Sequence, residues 1–402
     1  MEKVDDLFPR NMEDDVALDF LMKSLEKRLG DETNYRENNE DPKLVLQFGS
    51  NDPERLRKCV KYTVAKYHGS LREINLNCGC PSIESGGATT YGASLMKEVQ
   101  LTSDLVRAAR KGIIEGLNMK ENSDELQLPI GVSVKTRIAV FEHIDDMVDL
   151  DDDHYNYLQN YVTKIVDAGA NHIILHARPA ILSGLSPVKN RIVPNLNYEF
   201  VKQVQSDFGE NITVTLNGGI KSIHHLKKLI STNGDDNNKS TIYSIMAGRY
   251  PLERPLDLVA IEQLLSNHAS PSTFDVYENT KKALKQYLDF SLSIQNTKQP
   301  TYTIAELCLP IFLVVEQLRD DYNYEEEDFT YKPLLSYSEI EDLYDIVVEG
   351  ISSLEDLCKK GKAKKKTKID QNEINFKRLS SSIKSLVGTK VVNKWKRNRS
   401  EL

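Results

Sequence analysis

Cysteine is scarce in this sequence: five in 402 residues, Cys59, Cys78, Cys80, Cys308 and Cys358. An odd, small number in a chain this long excludes a disulfide framework and points to a reducing compartment. Long apolar runs are also missing, which argues against a membrane-spanning helix. The opening MEKVDDLFPRNMEDD has neither the apolar centre of a signal peptide nor the Arg-rich character of a transit peptide. A cytoplasmic protein is therefore expected, with a nuclear or mitochondrial location left open. No metal site is expected, because structural zinc wants a wider Cys spacing and a second ligand pair, and C-x-C at 78–80 has neither. Apart from a strand–helix period there is no internal repeat.

Charge is unevenly spread. The net value is −8, yet residues 359–368, KKGKAKKKTK, hold seven lysines and no acid. A basic segment on an otherwise acidic chain suits phosphate contact, a solvated linker or a nuclear localisation patch.

Six short runs are rich in β-formers: LVLQF (44–48), LREINLN (71–77), IGVSVKT (130–136), NHIILH (171–176), ITVTL (212–216) and IYSIMA (242–247). Amphipathic helical patterns such as DPERLRKCVKYTVAKY and DLVRAARKGIIEGL separate them. Apolar strands alternating with helices predict a parallel sheet covered by helices. Each run ends on a polar or glycine residue: Gln47, Asn77, Lys135, His176, Asn217 and Gly248. Polar residues at every strand end suit a (β/α)8 barrel, whose active site is built there. A dinucleotide fold would instead place one Gly-rich turn near the start.

The domain plan that follows has three parts. Residues 1–43 read as an N-terminal helix (16–29) and a polar loop, 44–265 as the barrel domain, and 266–402 as a helical domain. Within the last, helices are expected over 275–320, 337–358 and 372–396, with an acidic loop at 321–334 and a disordered basic insert at about 359–371.

Two glycine motifs close the strand series, LNGGI (216–220) and MAGRY (246–250). Backbone N–H groups of Gly218, Gly219 and Gly248 can approach an anion without a side chain intervening, and Arg249 can add a charge-assisted bond. Loops after the last two strands of a barrel commonly hold a cofactor phosphate. Tight turns would use the same residues. The loop INLNCGCPS (74–82) is equally ambiguous: its thiols suit either a catalytic cysteine or a small buried residue at a strand end. Lys135 alone reads as a lysine reaching solvent, and His176 as a hydrogen-bonded core histidine.

Taken together, INLNCGCPS, SVKTR (133–137), HARPAILSGLSPVKNR (176–191), LNGGIKS (216–222) and AGR (247–249) resemble, in order, the motifs of the tRNA-dihydrouridine synthases. The similarity is closest to the bacterial A-type branch. It covers residues 44 to about 260, with a weaker match at GTKVVNKWKRNR (388–399). The resemblance implies an FMN-dependent TIM-type barrel, reduced by NADPH, that converts a uridine in tRNA to 5,6-dihydrouridine, followed by a helical tRNA-binding domain. It implies that Cys80 is the proton donor and that Asn77 and Arg191 meet the substrate base. Gln47, Lys135 and His176 are implied to hold the flavin ring and ribityl chain, and Asn217, Gly218, Gly219, Gly248 and Arg249 the flavin phosphate. A monomer without membrane association is expected.

The chain departs from the family pattern at its start. No A-P-M motif is present, and if the glycine motifs follow strands 7 and 8, the first two barrel strands are expected to be lacking. Ser94 and Pro179 also stand where the branch often has cysteine and lysine. Two further readings therefore stand beside the enzyme: a non-catalytic or truncated RNA-binding relative that holds no flavin, and another FMN barrel such as a dihydroorotate-type dehydrogenase. The basic helical C-terminal part argues against the latter.

Overall fold

A computed structural model describes residues 2–7, 14–29, 44–81, 91–119, 128–230, 242–265, 275–295, 304–322 and 333–362. The polar loops expected at 30–43 and 234–240, most of the acidic loop at 321–334, the last expected helix at 372–396 with Trp395, and the motif at 388–399 lie outside the described residues. The chain packs as two compact units, Met1–Gly219 with Thr232–Met246, and Ile220–Ser231 with Ala247–Leu402.

The first unit is an α/β sheet. Strands β1 (Glu2–Lys3), β2 (Leu44–Gly49), β3 (Leu71–Cys78), β4 (Gly131–Arg137), β6 (His172–His176), β8 (Thr213–Asn217) and β9 (Ser244–Met246) pair in that order. Every pairing is parallel, as in a (β/α)8 barrel, and all six strands expected from the sequence are present. Two features differ from expectation. Glu2–Lys3 lies parallel to Phe48–Gly49, so β2 does not begin the sheet. A two-residue strand has no periodicity to read in sequence. A second small ladder pairs β5 (Val140–His143) with β7 (Ala180–Ser183), extending the chain beyond the ends of β4 and β6. Among the described residues, no ladder joins β1 to β9.

Helices cover the sheet in this unit: α1 (Val4–Leu7), α2 (Asp14–Leu29), α3 (Pro53–Tyr67), α4 (Val99–Gly116), α5 (Asp152–Asp167) and α6 (Tyr198–Phe208). Helix α3 shows why they form. Asp52 caps its first turn by accepting from Arg55 N, and Pro53 occupies the first helical position, where its missing N–H costs nothing. Leu56, Cys59, Val60, Thr63, Val64 and Tyr67 recur at helical spacing and form its buried face. Each large apolar side chain buried this way contributes about 1.5–3 kcal/mol.

Helices α3 and α4 pack closely. Gly112 and Gly116 on α4 face Val60 and Val64 on α3, and a Cβ at either glycine would press on the backbone carbonyl of Arg57 or Lys61. The absence of two side chains lets the helices approach. Arg57 and Glu115 then close the seam as an ion pair.

The second unit is helical. It contains α7 (Ile223–Ile230), α8 (Tyr250–Glu253), α9 (Asp257–Leu265), α10 (Val276–Gln295), α11 (Ile304–Tyr322) and α12 (Tyr337–Lys362). Leu284, Leu288, Ile311, Val315, Leu343, Val347 and Ile351 form one apolar core. Beside it, Arg254 pairs with Asp257 at 2.8 Å and with Asp321 at 2.9 Å, and Gln317 donates to Asp257 at 2.7 Å. Helix α12 runs to Lys362, so the expected basic insert does not start at 359: its first four residues belong to the helix. Among the described residues, no helix is long and apolar enough to cross a membrane.

Replacing Gly112 or Gly116 by alanine should overpack the α3–α4 seam and destabilise the chain by about 1–3 kcal/mol. Thermal unfolding of each variant checks this, and an unchanged Tm would show that the helices separate without cost.

Candidate active site

Strand alternation decides which side chains share a space. Along β3, Glu73, Asn75 and Asn77 point to one face, and Ile74, Leu76 and Cys78 to the other. Register then sets their neighbours. Asn75 lies beside Gln47 and Ser133, Asn77 beside Lys135, and Arg137 beside His176, which lies beside Asn217. Five of the six expected strand-end residues, Gln47, Asn77, Lys135, His176 and Asn217, thus gather at one end of the sheet of the first unit.

The chain leaves β3 through an Asx turn. The side-chain oxygen of Asn77 accepts from Gly79 N at 3.2 Å and from Cys80 N at 3.1 Å. On its other side, Cys80 O accepts from Ala93 N at 2.8 Å. Cys80 is held at both backbone polar groups, and its residue is half-buried. Residues 82–90 of the same loop lie outside the described residues.

Cys78 lies in a different environment. It is fully buried, and its thiol faces the Tyr161 hydroxyl of α5. Burial pushes that thiol up to about 12, so it stays protonated. The two cysteines are close in sequence but lie in different surroundings, which separates the readings that spacing alone left open: Cys78 is a buried small residue, and Cys80 is the loop thiol.

Two buried cationic groups, Lys135 and Arg137, lie near Cys80. Burial lowers the Lys135 amine to about 8, and the neighbouring Arg137 adds to the effect. Burial likewise lowers Arg137 to about 10, with Arg191 and Arg178 contributing. Among the described residues, no carboxylate pairs with Lys135 or Arg137. Arg137 instead donates to three carbonyls: Gly79 O at 3.0 Å, Pro179 O at 3.1 Å and Asn190 O at 3.2 Å. It ties the Cys80 turn to the segments on both sides of β7. The buried Asn190 side chain brackets Ile181 through both its groups, at 2.8 and 2.9 Å. The short helical turn Lys189–Arg191 is fixed by these bonds, and Arg191 stands exposed on it.

His176 is 7% exposed and packs directly against the turn after β8. Gly218 has φ of 108°, and a Cβ there would strike the His176 ring. Only glycine satisfies both the backbone and the imidazole. Gly219 follows in the same turn, and Asn217 donates to Met246 O at 2.8 Å. Gly248 and Arg249 belong to the second unit. There Gly248 has nothing within 4 Å of where a Cβ would stand, and Arg249 precedes helix α8.

Sequence reasoning did not single out Arg137, Asn75, Asn190 or the Glu73–His172 pair. His172 Nδ1 lies 2.9 Å from Glu73 and its Nε2 lies 2.7 Å from the Thr215 hydroxyl. One signal was available: Glu73-x-Asn75-x-Asn77 and Ser133-x-Lys135-x-Arg137 put polar groups at every second position of apolar strands, a period that aims them at one space.

A family model described as "Dihydrouridine synthase (Dus)" matches residues 22–306. A curated protein from Pasteurella multocida named tRNA-dihydrouridine(20/20a) synthase is 35% identical over 230 residues, 57% of this chain and 58% of its own length. One of the same name from Vibrio parahaemolyticus is 36% identical over 237 residues, 58% of this chain and 60% of its own. A third, from Shigella flexneri, is 33% identical over 267 residues, 66% of each. The chain spans about three-fifths of the length of the first of these relatives.

The depressed Lys135 value makes a prediction with a definite sign. Its pKa falls from 10.5 when unfolded to about 8 when folded, so between these values the unfolded chain binds the extra proton. Stability then rises with pH across this window, and the full penalty applies below about 8. Lys135→Met should raise Tm at pH 7, with the gain shrinking as pH climbs from 8 towards 10.5. A gain independent of pH would show that the effect is packing and not charge.

Proposed function

The chain belongs to the dihydrouridine synthase family, and from that premise we propose that it reduces a uridine in the D-loop of tRNA to 5,6-dihydrouridine. The carrying observation is the half-buried Cys80 residue, held at both backbone groups, near two buried cations that no carboxylate pairs among the described residues.

FMN suits the residues present. Among the described residues no carboxylate pairs with Lys135 or Arg137, which suits an anionic group beside them. Gln47, Lys135 and His176 would hold the ring and ribityl chain; Asn217, Gly218 and Gly219 would hold the phosphate. When bound and reduced by NADPH, FMN supplies the hydride that uracil receives at carbon 6.

The chain's own residues do the rest. Cys80 delivers a proton from Sγ to carbon 5 as general acid, which requires a thiol and not a thiolate. Asn77 fixes the turn that carries Cys80. Lys135 favours negative charge in the site, since an anion there offsets the cost of its burial. Arg191, exposed on its anchored turn, would meet the substrate base. A target uridine inside folded RNA must leave its stack to reach these groups. The helical second unit and the lysine run would supply phosphate contacts, which give affinity without sequence choice. The scarcity of cysteine supports a cytoplasmic setting.

One observation favours a second reading, a non-catalytic RNA-binding relative: among the described residues the sheet is not closed by a ladder. The visible absorbance of the purified chain separates the two. A flavin spectrum bleached by NADPH and restored by unmodified tRNA supports the enzyme; a colourless protein that takes up no added FMN supports the relative.

Cys80→Ala should keep flavin and lose about 100-fold or more of dihydrouridine formation, measured by mass spectrometry of tRNA nucleosides. Cys78→Ala should change the rate little. Equal activity of Cys80→Ala and wild type would remove Cys80 from the chemistry.

A further inference from the structure

A line of half-buried and buried polar side chains runs from the Cys80 turn into the sheet, and its direction is fixed by chemistry. Gly79 N–H and Cys80 N–H can only donate, so the Asn77 side chain must turn its oxygen to them. Its amide nitrogen therefore faces Gln47 and donates to Oε1 at 3.0 Å. Gln47 in turn donates from Nε2 to Asn75 Oδ1 at 2.6 Å, and Asn75 donates from Nδ2 to Ser133 Oγ at 2.8 Å. The Ser133 hydroxyl hydrogen-bonds the Glu73 carboxylate, which also takes His172 Nδ1 at 2.9 Å. No amide in this line can flip without setting two donors or two acceptors against each other.

Asn75 stands at the centre, 2% exposed, and both its bonds lie along the line. We propose that Asn75 is a positioning residue for Cys80, acting through Gln47 and Asn77, with Ser133 as its anchor. Aligned bonds polarise one another, so a break at Asn75 is felt at the Cys80 amide. The catalytic importance of this placement rests on the proton-donor reading of Cys80; the placement itself does not.

Asn75→Leu removes the acceptor that Gln47 needs. Gln47 then keeps an unsatisfied amide or turns it against the Asn77 nitrogen, and the Asx turn loosens. Asn75→Asp behaves differently. Its carboxylate still accepts from Gln47, so the segment from Gln47 to Cys80 keeps its direction, although a second carboxylate near Glu73 lowers overall stability.

The test is the rate of iodoacetamide alkylation at each cysteine of the full chain, mapped by mass spectrometry beside Tm. We expect Cys80 in Asn75→Leu to react about threefold faster or more, with Cys78 unchanged. Asn75→Asp should keep the wild-type rate at Cys80 despite its lower Tm. In an Asn77→Ala background, Asn75→Leu should add nothing, because the line is already cut. Should Asn75→Leu fail to fold, Ser133→Ala removes only the anchor and should give the same pattern at about twofold.

An unchanged Cys80 rate, a parallel rise at Cys78, or rates that simply follow Tm would overturn the proposal. Failure of the proton-donor reading looks different: Cys80→Ala would still make dihydrouridine while the alkylation pattern held.

Discussion

The site depends on one buried guanidinium. Among the described residues Arg137 has no carboxylate partner, and its fork is spent on three backbone carbonyls, of Gly79, Pro179 and Asn190. Carbonyl dipoles compensate a buried charge only in part, and burial lowers this arginine to about 10, which still leaves it protonated at neutral pH. In return, three loops that have no ladder between them share one rigid centre. The Cys80 turn, the start of β7 and the turn bearing Arg191 keep their spacing because a planar, five-donor group sits among them. Lysine, with a single ammonium on a flexible stem, could not hold that geometry.

Much of this fold was legible in the sequence because strand and helix periods differ and the strands are apolar. All six runs became strands, and the residues closing five of them share one end of the sheet of the first unit. What escaped reading has physical reasons. Glu2–Lys3 is too short to show a period, and β5 and β7, at four residues each, are barely longer. Arg137 and Asn75 were visible as polar residues in apolar strands, but their tasks depend on carbonyls and amides brought near by register, and no local pattern encodes that. Likewise, nothing in the C-x-C motif distinguishes a thiol facing Tyr161 from one held in a turn; only alternation across the strand end does. Gly248 had been grouped with Gly218, yet only Gly218 is demanded by a positive φ and a neighbouring ring.

The two units stabilise themselves differently. The first relies on close helix contact at Gly112 and Gly116 and on strand register. The second combines an aliphatic helical core with a buried ionic cluster around Arg254, where two aspartates face one arginine and burial raises the Asp321 carboxyl. Helix α12 carries the chain into the start of the lysine run.

The lysine beside Cys80 has a consequence for ligand binding. With its pKa near 8, Lys135 is partly neutral just above physiological pH. An anion seated against it restores the charged form, so binding takes up a fraction of a proton from the medium. Calorimetric heats of anion binding would therefore vary with the ionisation enthalpy of the buffer, and affinity would weaken as the solution grows more alkaline. An anion seated there would thus be held in a proton-coupled way, by a lysine that no carboxylate pairs among the described residues.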